Sequence, residues 1–117
     1  DYDDTVTYRN GTAVNPYVIA YLYQCRTKNI KITLLTRHSC VFNESVYESF
    51  NRLKISPDLF DAVVELDWDQ QKHEYIGNAE KGIFLDNSFS ERKKVYDALG
   101  MNVFDVCNID CLFDWRL

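Results

Sequence analysis

The chain has 117 residues, 46% of them hydrophobic and 15% aromatic, which is enough for one compact domain spanning 1–117. This composition excludes a disordered chain, and no signal peptide or long apolar run indicates a membrane span. The formal net charge is -5, with no run of lysine and arginine, which argues against a nucleic-acid partner. An acidic site would better suit a cation or a cation-bound phosphate.

The cysteines and histidines match no common metal site. The four cysteines form no Cys-x-x-Cys pair, and the spacings of the two histidines match no zinc-finger pattern. We therefore expect reduced, mostly buried thiols and a cytoplasmic protein.

The first half of the chain predicts helix, strand and helix in turn. Asn15-Pro16 is a helix-start signal, and apolar residues then follow helical spacing to about Asn29. The apolar, β-branched stretch at 30–35 predicts a strand that ends at Thr36. A second helical pattern runs from about Asn43 to Leu53, and Pro57 interrupts the loop after it.

The second half continues this alternation. Ser88 and Glu91 have the spacing of a capping box, and Gly100 is a typical helix stop. The predicted elements are a strand at 62–66, a short helix at 72–77, a strand at 82–85, a helix from 88 to 100, a strand at 102–106 and a short helix at 108–114.

Alternating helices and apolar strands predict an α/β domain of three layers, Rossmann-like, with a parallel sheet covered on both faces. In such sheets the ligand binds beyond the carboxyl ends of the strands. The polar residues that follow the predicted strands are therefore candidates for a site, namely Thr36, Arg37, Asp67, Asp86 and Asn87.

The opening stretch DYDDTV also belongs at this edge if a strand leads into it. A sheet of this kind needs a strand before its first helix, and without it neighbouring strands would stay unpaired. We therefore expect apolar residues before Asp1, as a central strand or a whole upstream domain. Asp1, Asp3 and Asp86 would then surround one small cavity, and carboxylate oxygens there are suitable ligands for Mg²⁺.

The same residues resemble the motifs of the haloacid dehalogenase (HAD) superfamily. DYDDTV resembles its first motif, D-x-D-x-T/V, and ITLLT at 32–36 resembles the second, an apolar strand that ends in Thr or Ser. A lysine ahead of the last acidic motif is the third, and GIFLDNS at 82–88 resembles the fourth. The motifs occur in the family's order and span almost the whole chain.

This resemblance implies a Mg²⁺-dependent phosphatase or phosphotransferase that acts on a phosphorylated substrate. Asp1 would be the nucleophile that forms an aspartyl-phosphate, and Asp3 the general acid and base. Asp1, the backbone carbonyl of Asp3 and Asp86 would hold Mg²⁺. Thr36 would bind a phosphoryl oxygen, and Lys72 would offset charge on the nucleophile and the phosphate.

Several assignments have alternatives. Lys81 also precedes the fourth motif. It stands directly before the strand, at the opposite end of the sheet from the site, and this favours Lys72. Arg37 and Asn87 are candidate substrate-binding residues, although Arg37 alone would equally suit the surface. Asn87 and Ser90 depart from the acids that many relatives carry, which is compatible with weak or lost activity. Glu91 is explained by the capping box without a metal role, and we expect the histidines His38 and His73 to be surface or packing residues rather than catalysts.

No cap domain fits between the motifs. The segment YRNGT contains an Asn-Gly turn and predicts a small hairpin flap beside the site. A capless site stays open, or is closed by a neighbouring subunit of a homo-oligomer or by an adjacent domain, and it suits a large substrate or a protein partner. Trp68 in the loop DWDQQ would lie at this edge, as a stacking or interface residue or simply as a partly exposed packing residue.

Two other functions fit the sequence. The stretch FLDNSFSERKKVYDALGMNVFDV more loosely resembles small bacterial HAD-like domains, some of which are joined to ATP-grasp, carbamoyl-phosphate-synthase-like modules. A catalytically weak or inactive domain of this kind would serve a larger protein as a binding or regulatory module. A receiver-like domain also has an acidic pocket, a Thr and a Lys, but no Asp stands in the receiver order here.

Overall fold

A computed structural model of the chain describes residues 1–77 and 82–116. It confirms the α/β class, because helices and short strands alternate along the chain. The strands are β1 (Thr7–Tyr8), β2 (Ala13–Val14), β3 (Thr33–Thr36), β4 (Ala62–Glu65), β5 (Ile83–Leu85) and β6 (Asn102–Phe104). The helices are α1 (Pro16–Thr27), α2 (His38–Phe42), α3 (Val46–Leu53) and α4 (Phe89–Leu99), with 3₁₀ segments at Pro57–Leu59, Lys72–Tyr75 and Val106–Cys111.

The predicted helix ends are confirmed where a single side chain decides them. The Asn15 side chain accepts hydrogen bonds from the backbone nitrogens of Tyr17 and Val18 and so starts α1. Ser88 caps α4 by accepting from the backbone nitrogen of Glu91 at 3.3 Å. Gly100 ends that helix with a φ of +65°, a conformation that glycine adopts without strain.

Other predicted bounds are wrong. The helical pattern at 43–53 begins only at Val46, because Ser45 is the capping residue. The short helix α2 before it was not predicted, and it ends at Asn43 in the left-handed conformation, with a φ of +52°. The predicted short helices at 72–77 and 108–114 are 3₁₀ segments with different bounds, Lys72–Tyr75 and Val106–Cys111.

The strands form three two-stranded sheets rather than one continuous sheet within the described residues. β3 pairs with β4 in parallel, and β5 pairs with β6 in parallel. β1 and β2 form the predicted hairpin and are antiparallel. Parallel pairing is thus confirmed for the four long-range strands, but a single sheet joining them is not.

Both parallel pairs bury apolar side chains on two faces. Along β3, Leu34 enters one core cluster with Phe50, whereas the next residue, Leu35, enters a second cluster with Phe84. Leu85 packs against the first cluster, so β5 alternates in the same way. Each fully buried leucine or phenylalanine contributes about 1.5–3 kcal/mol, so both faces stabilise the strand pairs. Such two-sided burial is typical of parallel sheets.

The cysteines only partly match the prediction. Cys25 is buried and Cys40 is half-buried, but Cys107 and Cys111 are exposed, so the expectation of mostly buried thiols is wrong for these two. The structure places all four as free thiols.

In the described ranges, no helix has the length and apolar character needed to cross a bilayer.

Candidate active site

A polar cavity of about 300 Å³ lies beyond the carboxyl ends of β3 and β5. This is the edge at which the sequence placed a site, and the cavity collects residues from the opening loop, the segment after β3 and the start of α4. Six residues predicted for the site line it, namely Asp1, Asp3, Arg37, Lys72, Asp86 and Asn87.

Lys72 lies between two of the carboxylates. Its ammonium donates to Asp1 Oδ1 at 3.0 Å and to Asp86 Oδ2 at 2.8 Å. The side chains of Lys72 and Asp86 are only 4% and 1% exposed, so water screens these contacts poorly. One cation thus offsets the repulsion between the two carboxylates. The competing candidate Lys81 lies outside the described residues.

Asp86 is held in place from several sides. It directly follows β5, and its Oδ1 accepts from the backbone nitrogen of Ser88 at 2.9 Å, at the start of α4. Arg92, one turn into that helix, donates to the Asp86 carbonyl oxygen at 2.8 Å. The carboxylate therefore has one orientation, with its second oxygen directed at Lys72.

Asp3 is bound by a histidine that the sequence did not identify as part of the site. His38 Nδ1 lies 2.9 and 3.0 Å from the two Asp3 oxygens, and the His38 ring is fully buried. Burial raises the pKa of Asp3 above its ordinary value, although the hydrogen bond from His38 opposes this shift. A raised pKa lets a carboxyl group keep its proton nearer to neutral pH, which suits a general acid.

The second ring nitrogen of His38 contacts an ion pair. Nε2 lies 2.9 Å from Glu44 Oε1, and Arg52 donates to both Glu44 oxygens at 2.9 and 3.0 Å. The hydrogen bonds from Arg52 are the main cause that lowers the pKa of Glu44 to about 2. Proximity to the strand end at Thr36 was the only sequence signal for His38, and no local spacing indicated its contact with Glu44.

Thr36 ends β3 as predicted but does not line the cavity. Its side chain is fully buried, and its hydroxyl accepts from the backbone nitrogen of His38 at 3.0 Å. In this arrangement Thr36 fixes the start of α2. A contact with a phosphoryl group would require the hydroxyl to turn toward the cavity.

Arg37 and Glu91 form an ion pair at the rim of the cavity. Their side-chain atoms Nη1 and Oε1 are 3.1 Å apart, and the two side chains are 13% and 17% exposed. The surface alternative for Arg37 is therefore wrong. Glu91 makes only half of the predicted capping box, since its carboxylate binds Arg37 while the Ser88 nitrogen binds Asp86.

Asn87 bridges the two proposed metal-ligand positions of the opening loop. In the orientation that satisfies its hydrogen bonds, its amide nitrogen donates to Asp1 Oδ2 at 2.7 Å and to the Asp3 carbonyl oxygen at 3.2 Å. These two oxygens thus face the same point, and oxygen atoms are the ligands that Mg²⁺ prefers. Within 1–77 and 82–116, no three side chains of His, Cys, Asp or Glu are grouped closely enough to hold a metal ion. One of the proposed Mg²⁺ ligands is the backbone carbonyl oxygen of Asp3, which is not one of these side chains.

The predicted flap reaches the cavity. The turn between β1 and β2 contains Asn10 and Gly11, with φ values of +58° and +78°, and both residues line the cavity together with Phe42. Trp68 is 66% exposed and is not among the lining residues.

Comparisons of the chain with protein-family models, curated proteins and solved structures found no match.

Proposed function

We propose that the protein is a Mg²⁺-dependent phosphohydrolase or phosphotransferase that acts through an aspartyl-phosphate on Asp1. The observation that carries this proposal is the placement of Lys72, which joins Asp1 and Asp86 at 3.0 and 2.8 Å in a buried corner of a polar cavity. We also propose a capless, three-layer HAD-like fold, supported by parallel pairs that bury apolar residues on both faces.

The reaction would proceed in two displacements. The Asp1 carboxylate forms a bond to phosphorus as the bond to the leaving oxygen breaks, and Asp3 gives that oxygen a proton. A water molecule then attacks phosphorus, Asp3 takes its proton, and phosphate leaves with Asp1 regenerated. Another acceptor in place of water would make the protein a phosphotransferase.

The surroundings of Asp1 and Asp3 suit these roles. Lys72 offsets the negative charge that would gather as a phosphate approaches the nucleophile. The raised pKa of Asp3 favours the protonated carboxyl that the first displacement needs. Mg²⁺, bound by Asp1, the Asp3 carbonyl oxygen and Asp86, would supply further positive charge to the phosphoryl oxygens.

The test is turnover of p-nitrophenyl phosphate with and without Mg²⁺. We expect turnover in the wild-type protein with Mg²⁺ and its loss in Asp1→Asn. Asp97→Asn is the matched control, because it makes the same chemical change on the exposed side of α4, where Asp97 pairs with Lys93. Equal rates in the Asp1 and Asp97 variants, with both proteins folded by circular dichroism, would refute the proposal.

A direct probe of the nucleophile is beryllofluoride, which mimics an acyl-phosphate on a carboxylate. We expect a bound ¹⁹F resonance that needs both Mg²⁺ and Asp1.

A second candidate is a binding module without turnover. The observation that favours it is that the acid/base and metal-ligand oxygens already have partners, since His38 holds Asp3 and the Asn87 amide joins Asp1 to the Asp3 carbonyl. Binding of beryllofluoride without any Mg²⁺-dependent turnover would favour this candidate.

A further inference from the structure

A second, larger cavity separates the two parallel strand pairs. It is an apolar groove of about 520 Å³. It is lined by consecutive residues of the segment 32–35 and of β5, and by no residue of β4 or β6. Other apolar lining residues include Val6, Val18, Leu22, Phe60 and Met101. The groove therefore runs between the inner edges of β3 and β5.

These inner edges are strand edges available for pairing. Within the described ranges β3 pairs only with β4, and β5 pairs only with β6. Both pairs are parallel, so each presents a row of backbone N–H and C=O groups toward the groove. Two facing edges of this kind form a template for an added strand.

The Asp1 nitrogen marks one end of the groove. It donates to the carbonyl oxygen of Leu85, the last residue of β5, at 3.1 Å. A peptide N–H in a strand beside β5 would make a hydrogen bond of the same kind. A peptide nitrogen would make this bond without a buried charge.

We propose that the groove binds an extended apolar polypeptide segment that pairs with the edges of β3 and β5 and is joined to the Asp1 nitrogen. Because Asp1 lies at the carboxyl end of β5, this segment runs parallel to both strands. At about 3.3 Å per residue, roughly five residues cover the length of β3.

The chemistry of the segment follows from the groove walls. Leu34 and Leu35 point into different core clusters, so a strand beside them has apolar surroundings on both faces. β-branched and aromatic residues suit such a position at every step rather than at alternate ones. The resulting sheet has the order β4, β3, segment, β5, β6, and it fixes Asp1 beside Asp86.

This inference does not depend on phosphatase activity, so its test uses folding. Three proteins carry a five-residue extension before Asp1, with the sequences Val-Ile-Val-Ile-Phe, Gly-Ser-Gly-Ser-Gly and Val-Pro-Val-Pro-Phe. The third keeps much of the apolar surface but removes two N–H donors, which separates strand pairing from hydrophobic contact. Hydrogen exchange of the amides in β3 and β5 is followed by mass spectrometry, with urea unfolding beside it.

We expect at least tenfold slower exchange in β3 and β5, and a higher urea midpoint, only for the Val-Ile-Val-Ile-Phe protein. Equal exchange in all three proteins would refute the inference. A separate acetyl-Val-Ile-Val-Ile-Phe-amide peptide is added to the Gly-Ser protein as a further arm. If this peptide protected the amides as strongly as the fused segment does, the covalent link to Asp1 would be refuted. Weaker or no protection supports the link.

Discussion

At the scale of single residues, Lys72 combines two tasks that are usually separate. It is almost fully buried, so taking its charge out of water is costly, and the two carboxylates beside it compensate. The same contacts place a cation next to the proposed nucleophile. Stability and the proposed activity therefore depend on one side chain and should respond to the same substitution.

We predict that Lys72→Met lowers the free energy of unfolding by about 3–5 kcal/mol, because it leaves two buried carboxylates without a cation. Urea unfolding measures this change. Lys93→Met is the matched control, since Lys93 is 60% exposed and forms a surface pair with Asp97; surface pairs of this kind contribute only about 0–1 kcal/mol.

A double variant tests whether unpaired charge causes this loss of stability. Adding Asp86→Asn to Lys72→Met removes one of the unpaired charges, so we expect part of the lost stability to return. The measurement is again urea unfolding, because Asp86 is itself a proposed Mg²⁺ ligand and its loss would affect activity directly. No return of stability in the double variant would show that the loss in Lys72→Met has another cause.

At the scale of elements, α2 and α3 form one support for Asp3. α2 carries His38, α3 carries Arg52, and Glu44 in the loop between them connects the two side chains. Two carboxylates share the buried ring, so each ring nitrogen has one acidic partner. The unpredicted helix α2 thus brings a positioning residue to the site.

Two substitutions of His38 separate its contacts. An Asn amide reaches roughly the position of Nδ1 and preserves the bond to Asp3, whereas a Gln amide reaches roughly that of Nε2 and preserves the bond to Glu44. We predict that His38→Gln loses about 10²–10⁴-fold in kcat and His38→Asn loses much less, because general acid and base catalysis has this magnitude. An alkyl phosphate, whose leaving oxygen needs the proton, should show a larger loss than p-nitrophenyl phosphate.

Urea unfolding of both variants is the control. Similar stability with different kcat supports a positioning role for His38. Equal losses of kcat in the two variants would instead indicate a purely structural role.

The elements also show what local sequence can and cannot predict. Asn15, Ser88 and Gly100 were predicted correctly because each acts on backbone groups within a few residues of itself. The pairs Arg37 with Glu91 and His38 with Asp3 join residues far apart in the chain, and rules based on local spacing do not predict such pairs. The strand-end rule placed the site because parallel strands bring distant polar residues to one edge.

At the scale of the whole molecule, the two cavities meet at Asp1, which lines both of them. Its carboxylate belongs to the polar site, whereas its nitrogen lies at the apolar groove. Alternation along the chain predicted the parallel pairs correctly, but whether β3 and β5 belong to one sheet depends on what fills the groove. The segment proposed for the groove would therefore couple organisation of the site to completion of the sheet at this residue.

In a polypeptide that starts at Asp1, the free Asp1 nitrogen also makes global stability depend on pH. Its pKa falls from 8.0 in the unfolded chain to about 5 in the folded protein, mainly through burial. Between these values the unfolded state binds more protons, so the free energy of unfolding rises with pH. We predict that this group alone adds about 2 kcal/mol between pH 6 and pH 8, as urea unfolding would measure.

The matched control is the Nα-acetylated protein, which keeps an N–H donor to Leu85 but cannot carry the charge. All other titrating groups, including both histidines, are the same in the two proteins, so the difference between their pH dependences isolates the Asp1 nitrogen. We expect the acetylated protein to be the more stable at pH 6 and the two to converge near pH 8. Parallel pH profiles would mean that the ammonium keeps its hydration, and the groove would then be open to water at Asp1.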